Sequence, residues 1–277
     1  MTFYIQIANQ RIQIQSLYEK VYTWCKDYLV SPGEDAWRSE DQIKIRITPE
    51  DIKKEDHAMQ YSAWKKHPES IMLYHPAHLE IFALYRRICE IMPLYGTFLM
   101  HGSVIAKEGL GYMITAPSGV GKTTRSRIWQ KEYPDSVIVN GDKPLFSITP
   151  ARVYAHGTPW AGKEGENSNK CVPLQAVFLL ERTNKGEPDT IQKLHSLEAF
   201  AFLLQQSYHP EDSEAMHQTV LLLKSFVQTV DLYRLRCAPT AEAVRLAYET
   251  TRPEKKSSDP HTLGIVTPQK VTVNDII

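Results

Sequence analysis

Apolar and polar residues alternate along FYIQIANQRIQI, residues 3–14, with a turn at Asn9-Gln10, and this period of two predicts a half-buried hairpin. Leu17, Val21, Trp24 and Tyr28 then recur at helical spacing until SPGEDAW, residues 31–37, breaks the helix. Alternation returns at Ile43–Ile47, whereas residues 49–70 are charged and His-rich and read as a surface excursion. Leu79, Phe82, Ala83 and Cys89 mark the inner side of an amphipathic helix from Pro76 to Met92. Two apolar runs follow, FLMHGSVIA (98–106) and GYMITA (111–116), joined by residues 107–110. So short a connection predicts an antiparallel hairpin with His101 in the middle of its first strand.

Further strands are expected at Val137–Val139, Arg152–His156, Pro173–Leu180 and Leu232–Cys237. Helices are expected over 196–208 and 212–229, with Ser196 and Ser213 as N-caps, and from Thr240 to Glu249. From Arg252 onward the composition turns to Pro, Lys, Ser and Asp, as in a loosely held tail. The pattern predicts an α/β (α+β) chain with a mixed sheet: a smaller N-terminal α+β region over 1–95, a core over 96–251 and a tail over 252–277.

The length of 277 residues suits one large domain, or a medium one with a small companion. Lys plus Arg and Asp plus Glu number 32 each, and this zero net charge argues against nucleic acid or a membrane surface as the main partner. No apolar stretch approaches the roughly 18 residues of a spanning helix, and Met1–Arg11 lacks the order of a secretory signal. Cys25, Cys89, Cys171 and Cys237 include no pair at metal-ligand spacing and read as buried thiols in a reducing compartment. A soluble, cytoplasmic protein is the expectation.

Candidate chemistry is concentrated in APSGVGKTT, residues 116–124. It lies between a predicted strand, Tyr112–Thr115, and a predicted helix, Thr123–Lys131, the context of a P-loop. Gly119 and Gly121 let backbone N–H groups turn around an oxyanion, Lys122 would reach the β- and γ-phosphates, and the Thr123 hydroxyl would hold Mg²⁺. Ala116 stands where the commonest pattern has glycine. VIVNGDKPLF (137–146) places Asp142 just past an apolar run, where a carboxylate for metal or acceptor is expected. Asn140-Gly141 also reads as a hairpin turn that Asp142 merely decorates. A histidine on an apolar strand, as His101 is, is more often a satisfied core residue than a catalyst. Arg125 and Arg127 are candidates either for phosphate neutralisation or for the helix surface.

The stretch MHGSVIAKEGLGYMITAPSGVGKTT, residues 100–124, resembles the core of HPr kinase/phosphorylase, whose unusual nucleotide-binding fold phosphoenolpyruvate carboxykinase shares. Gly157–Trp160 with Gly162-Lys163, Val172–Leu174, and Tyr233–Leu235 with Cys237 resemble a small bacterial HPr-kinase-like branch that includes lasso-peptide precursor kinases. The resemblance implies a P-loop kinase core with ATP and Mg²⁺ as cofactors. Pro117, Ser118, Gly119, Val120, Gly121, Lys122, Thr123 and Thr124 would bind the nucleotide, and Thr123 and Asp142 the metal. Asp142, His101 and Lys122 would be catalytic, and Trp160 and Lys163 would lie on a loop closing over phosphate or acceptor. The HPr kinase family has paired aspartates where this chain has Gly141-Asp142, and an acidic residue where it has Thr124, so the reverse phosphorylase reaction loses support. The implied acceptor is a serine on a peptide or protein, with free serine or a similar metabolite second and a non-catalytic nucleotide-binding role third. No metal-and-arginine set suited to a carboxykinase is found. HPr kinase forms hexamers, so a homo-oligomer is possible by resemblance.

Overall fold

The computed structural model describes residues 1–31, 43–66, 73–117, 119–184 and 186–253. β1 (Thr2–Ile7) and β2 (Gln10–Gln15) form the expected antiparallel hairpin, Thr2 opposite Gln15 and Ile7 opposite Gln10. Its turn is Ala8-Asn9, one residue earlier than the spacing suggested, and both residues have positive φ, which matches the twist of the strands they join. α1 (Glu19–Trp24) is shorter than the Leu17–Tyr28 periodicity, because the chain tightens into a 3-10 turn at Lys26–Tyr28. β3 (Ile43–Arg46) lies parallel to β2 and completes a three-stranded sheet.

α2 (Pro49–Lys66) occupies most of the stretch that polarity had marked as an excursion. A start signal is present: Thr48 N donates to Asp51 Oδ2 at 2.9 Å, Asp51 N donates to Thr48 Oγ1 at 3.3 Å, and Pro49 opens the first turn. The charge belongs to a helix surface, part of which pairs with α3 (Pro76–Ile91) through Arg86–Glu55 at 2.8 Å and Arg87–Asp51 at 3.1 Å. α3 buries Leu79, Ala83 and Cys89 as expected, but Phe82 is 42% exposed. Glu80 on the same helix is fully buried and accepts from Leu17 N at 2.5 Å and Tyr18 N at 2.9 Å, tying α3 to the entry of α1.

The rest of the chain runs β4 (Thr97–Leu99), β5 (Ser103–Lys107), β6 (Leu110–Thr115), α4 (Lys122–Glu132), β7 (Val137–Asn140), β8 (Leu145–Ile148), β9 (Val153–His156), β10 (Cys171–Arg182), β11 (Thr190–Lys193), α5 (Ser196–Gln206), α6 (Ser213–Thr229), β12 (Asp231–Cys237) and α7 (Ala241–Thr251). The strands form one mixed sheet in the order β4-β8-β9-β10-β6-β5-β7, with β12 also on β10 and β11 on β12. β10 pairs parallel to β6 and β12 and, through its first residues, antiparallel to β9. The fold is a mixed α/β architecture, as the pattern predicted.

Several local expectations change. The run 98–106 is two strands, broken at Met100–Gly102, where successive N–H groups donate to Pro144 O, Gln206 O and Asp142 O. Asn140-Gly141 is not a hairpin turn, since β7 pairs with β5 while β8 pairs with β4 and β9. Asp212, not Ser213, caps α6 by accepting from Ala215 N at 2.9 Å, and α5 starts after His195 with no side-chain cap. The tail expected from Arg252 lies outside the described residues from position 254.

The core has three parts. Ile5, Ile12, Val21, Tyr28 and Leu84 pack with Leu99, Leu145 and Trp160 of the large-sheet region. Met113, Val177, Leu203 and Phe226 anchor a second cluster, and Tyr112, Trp129, Phe178 and Tyr248 a third. Cys25, Cys89 and Cys237 are buried, and burial pushes the first two thiols up to about 12; Cys171, expected inside, is exposed. No helix among the described residues is long and apolar enough to cross a membrane.

Candidate functional site

Strand directions assemble the site. β5 runs antiparallel to both β6 and β7, with Ser103 opposite Ile114 and Val104 opposite Asn140. The entry to β5 therefore lies beside the ends of β6 and β7, and Thr115 Oγ1 donates to His101 O at 2.8 Å across the first of these junctions. His101 precedes β5, the glycine loop follows β6 and Asp142 follows β7. All three reach one cleft of about 470 Å³ whose walls include Lys122, Thr123, Lys163 and Glu166.

Gly121, the residue before α4, has φ +112°, and a Cβ there would lie 2.8 Å from Arg125 Nη1. Only glycine enters the helix this way without strain. Arg125 is buried and donates to Cys237 O at 2.8 Å and Val120 O at 3.4 Å, while Arg182 donates to Gly119 O at 2.6 Å. Neither arginine lines the cleft; both hold backbone carbonyls, and Arg125 shapes the loop. Lys122 is buried at the head of α4, and its Nζ donates to Ala116 O at 3.1 Å. Burial lowers its pKa, although the nearby Asp142 carboxylate opposes the shift. Gly119, Gly121, Thr123 and Thr124 also line the cleft; Pro117 and Val120 line neighbouring hollows, and Ser118 lies outside the described residues.

Buried Asn140 shapes the turn that presents Asp142. Its Nδ2 donates to Thr158 O at 3.0 Å and Trp160 O at 3.3 Å, and its Oδ1 accepts from Asp142 N at 2.9 Å and Lys143 N at 2.6 Å. Asp142 Oδ1 then accepts from His101 Nε2 at 3.0 Å, with Lys143 Nζ 3.8 Å from Oδ2. Burial works against the carboxylate's charge, but the His101 hydrogen bond and the charges of Lys143 and Lys122 outweigh it and hold the group below its ordinary range. Gln206, at the end of α5, accepts from His101 N at 2.7 Å and sets its Oε1 3.4 Å from Nδ1, fixing the ring from behind.

The segment after β9, expected to be a loop that closes over phosphate or acceptor, is anchored. Gly157 N donates to Lys170 O, Ser168 N to Val139 O and Gly141 N to Glu166 O, each within 3.0 Å. Gly162, at φ +73°, brings the chain so close that a Cβ would sit 3.1 Å from Asp142 Cβ. Trp160 is only 5% exposed, donates from Nε1 to Ile81 O at 3.2 Å and lines an adjoining apolar cavity, not the cleft. Lys163 borders both spaces. Arg127 pairs with Glu164, linking α4 to this segment.

Sequence reading passed over Ser103, Ser126, Lys143, Gln206, Glu164 and Glu166. Lys143, Glu164 and Ser126 adjoin residues already singled out and Glu166 lies three positions from Lys163, so their neighbourhood was a usable signal; Gln206 gives none. Among the described residues no three His, Cys, Asp or Glu side chains converge on a metal site. The Thr123 hydroxyl and the Asp142 and Glu166 carboxylates do supply hard oxygen donors, suited to Mg²⁺ that shares its shell with phosphate oxygens.

Fold and cleft define a mixed-sheet α/β protein in which a glycine loop feeds a helix N-terminus and faces a carboxylate–imidazole pair. Residues 75–245 match the family described as SynChlorMet cassette protein ScmC, and the chain belongs to that family. No curated protein matches it. Among solved structures, the HPr(Ser) kinase/phosphatase from Coxiella burnetii is similar over 55% of this chain and 91% of its own, at 8% identity and a TM-score of 0.31.

Proposed function

We propose that the protein is an ATP-dependent phosphotransferase that moves the γ-phosphoryl group to a hydroxyl, with a serine on a peptide or protein as acceptor. The observation that carries this reading is the Asp142–His101 pair, 3.0 Å apart, in one cleft with Lys122 and Thr123 at the start of α4. Backbone N–H groups of the glycine loop and the positive end of α4 suit a polyphosphate. Lys122, released from the Ala116 carbonyl, would meet the β- and γ-phosphates. Mg²⁺, when bound, would neutralise charge on the phosphate oxygens, with Thr123 and Asp142 as its protein ligands and Glu166 within the same walls.

In transfer, the acceptor oxygen forms a bond to the γ-phosphorus as the bond to the bridging oxygen breaks and ADP leaves. The hydroxyl proton passes to Asp142 Oδ2, since Oδ1 is engaged by His101. Lys163, in the wall of the cleft, would offset charge on the group in flight.

Incubation with labelled ATP, Mg²⁺ and a panel of serine-containing peptides, free serine and oxaloacetate tests this. Label should reach a peptide serine, fall about 10²-fold or more in Asp142→Asn and vanish in Lys122→Ala. Calorimetry showing no adenine-nucleotide binding, or label only through oxaloacetate, would sink the proposal. Nucleotide binding with no transfer to any acceptor would leave a regulatory role.

A further inference from the structure

A second cavity, of about 330 Å³, opens behind the catalytic wall: Asp142, Ala161, Gly162 and Lys163 border both spaces. Its remaining surface is almost wholly aromatic, from Trp24, Phe82, Tyr85 and Trp160. The inner pair is fixed, since the Tyr85 and Trp160 ring centroids lie 5.6 Å apart and the Trp160 Nε1–H is held by Ile81 O. The outer pair stands in solvent, Trp24 and Phe82 each being 42% exposed. Phe82 is the more telling, because it leaves the otherwise buried stripe of α3. Among the described residues that line it, the charged groups are Lys163, Lys143, whose Nζ lies 3.8 Å from Asp142 Oδ2, and one carboxylate, Asp142, which also accepts from His101. Lys163 makes no ion pair or hydrogen bond among the described residues.

We infer that this cavity seats an acceptor peptide, taking a large apolar or aromatic side chain next to the serine, with acidic residues flanking it toward Lys143 and Lys163. The inference rests on the phosphotransfer reading and narrows its substrate. Free serine would leave the aromatic space empty, and a basic flank would meet two lysines. Rigid aromatic walls that lose little freedom on contact are the usual anchors of such recognition.

The test uses the full chain with a non-hydrolysable ATP analogue and three fluorescein-labelled peptides, Glu-Ser-Phe-Glu, Glu-Ser-Ala-Glu and Lys-Ser-Phe-Lys, read by fluorescence anisotropy. The first should bind about tenfold tighter than either of the others. Phe82→Ala and Trp24→Ala should erase its preference over Glu-Ser-Ala-Glu, Phe82→Leu should keep most of it, and all three should bind the nucleotide analogue as the parent does, which verifies their fold. Equal binding of the three peptides, or a preference untouched by both alanine variants, overturns the inference. Selective binding with no transfer from ATP sinks the phosphotransfer reading and leaves the cavity assignment standing; transfer that ignores the neighbouring residue does the reverse.

Discussion

Asp142 owes its ionisation to its neighbours. The His101 hydrogen bond and the lysine charges hold its carboxyl below the ordinary range, so the acid limb of the kcat/KM profile should lie at low pH. His101→Ala removes the bond, and the limb should move upward; Gln206→Ala, which frees the ring without removing it, should move it less in the same direction. A limb unmoved in both variants would show that Asp142 is not the group titrating. Asn140→Ala leaves the backbone groups on both sides of the turn without the buried amide that pairs them. It should cost about 1–3 kcal/mol in a urea titration and lower transfer more than nucleotide binding. At this scale the sequence was informative where chemistry is local: the order of Gly, Lys and Thr after a strand, and a carboxylate after the next apolar run. Gln206 was invisible because it sits 105 positions from the histidine it orients. Trp160 was misplaced because a tryptophan beside glycines gives no indication of which cavity it faces.

Elements were legible where periodicity was unbroken. The first hairpin, α3, α6 and β12 follow directly from spacing, whereas α2 was hidden because its polar composition outweighed a reciprocal cap at Thr48 and Asp51. Thr48→Ala should therefore destabilise by about 1 kcal/mol, seen as a lower urea midpoint with α-helical signal lost first. The pairing of β7 with β5 was likewise illegible, since an Asn-Gly step between apolar runs reads as a hairpin until a third strand competes for the same edge. Burial on both sides of Met100–Gly102 hid the break between β4 and β5: a continuous apolar run reports that the chain is inside, and not which neighbour it pairs with. Glu80→Ala leaves Leu17 and Tyr18 N–H groups without their buried acceptor. It should loosen α1 by about 1–3 kcal/mol, measurable as faster amide exchange there.

For the whole molecule, the clearest pH signature is His156, which lies 2% exposed in the large sheet, 2.8 Å from Ser147 Oγ. Burial pushes its pKa down to about 4. Unfolded chains bind its proton from about pH 6.5 downward while the folded protein does not, so stability should fall as pH drops through that window, by up to about 3 kcal/mol. His156→Gln should flatten that slope relative to the parent in thermal scans taken between these pH values; parallel slopes would refute the assignment. Trp160, Leu145 and Leu99 lie in the same apolar cluster as the three-stranded sheet and α3. A recombinant fragment starting at residue 96 would thus begin life with an uncovered indole beneath its own carboxylate turn. Anyone shortening this protein to the residues from 96 onward should expect insoluble material, and calorimetry of the intact chain should give one endotherm in place of two.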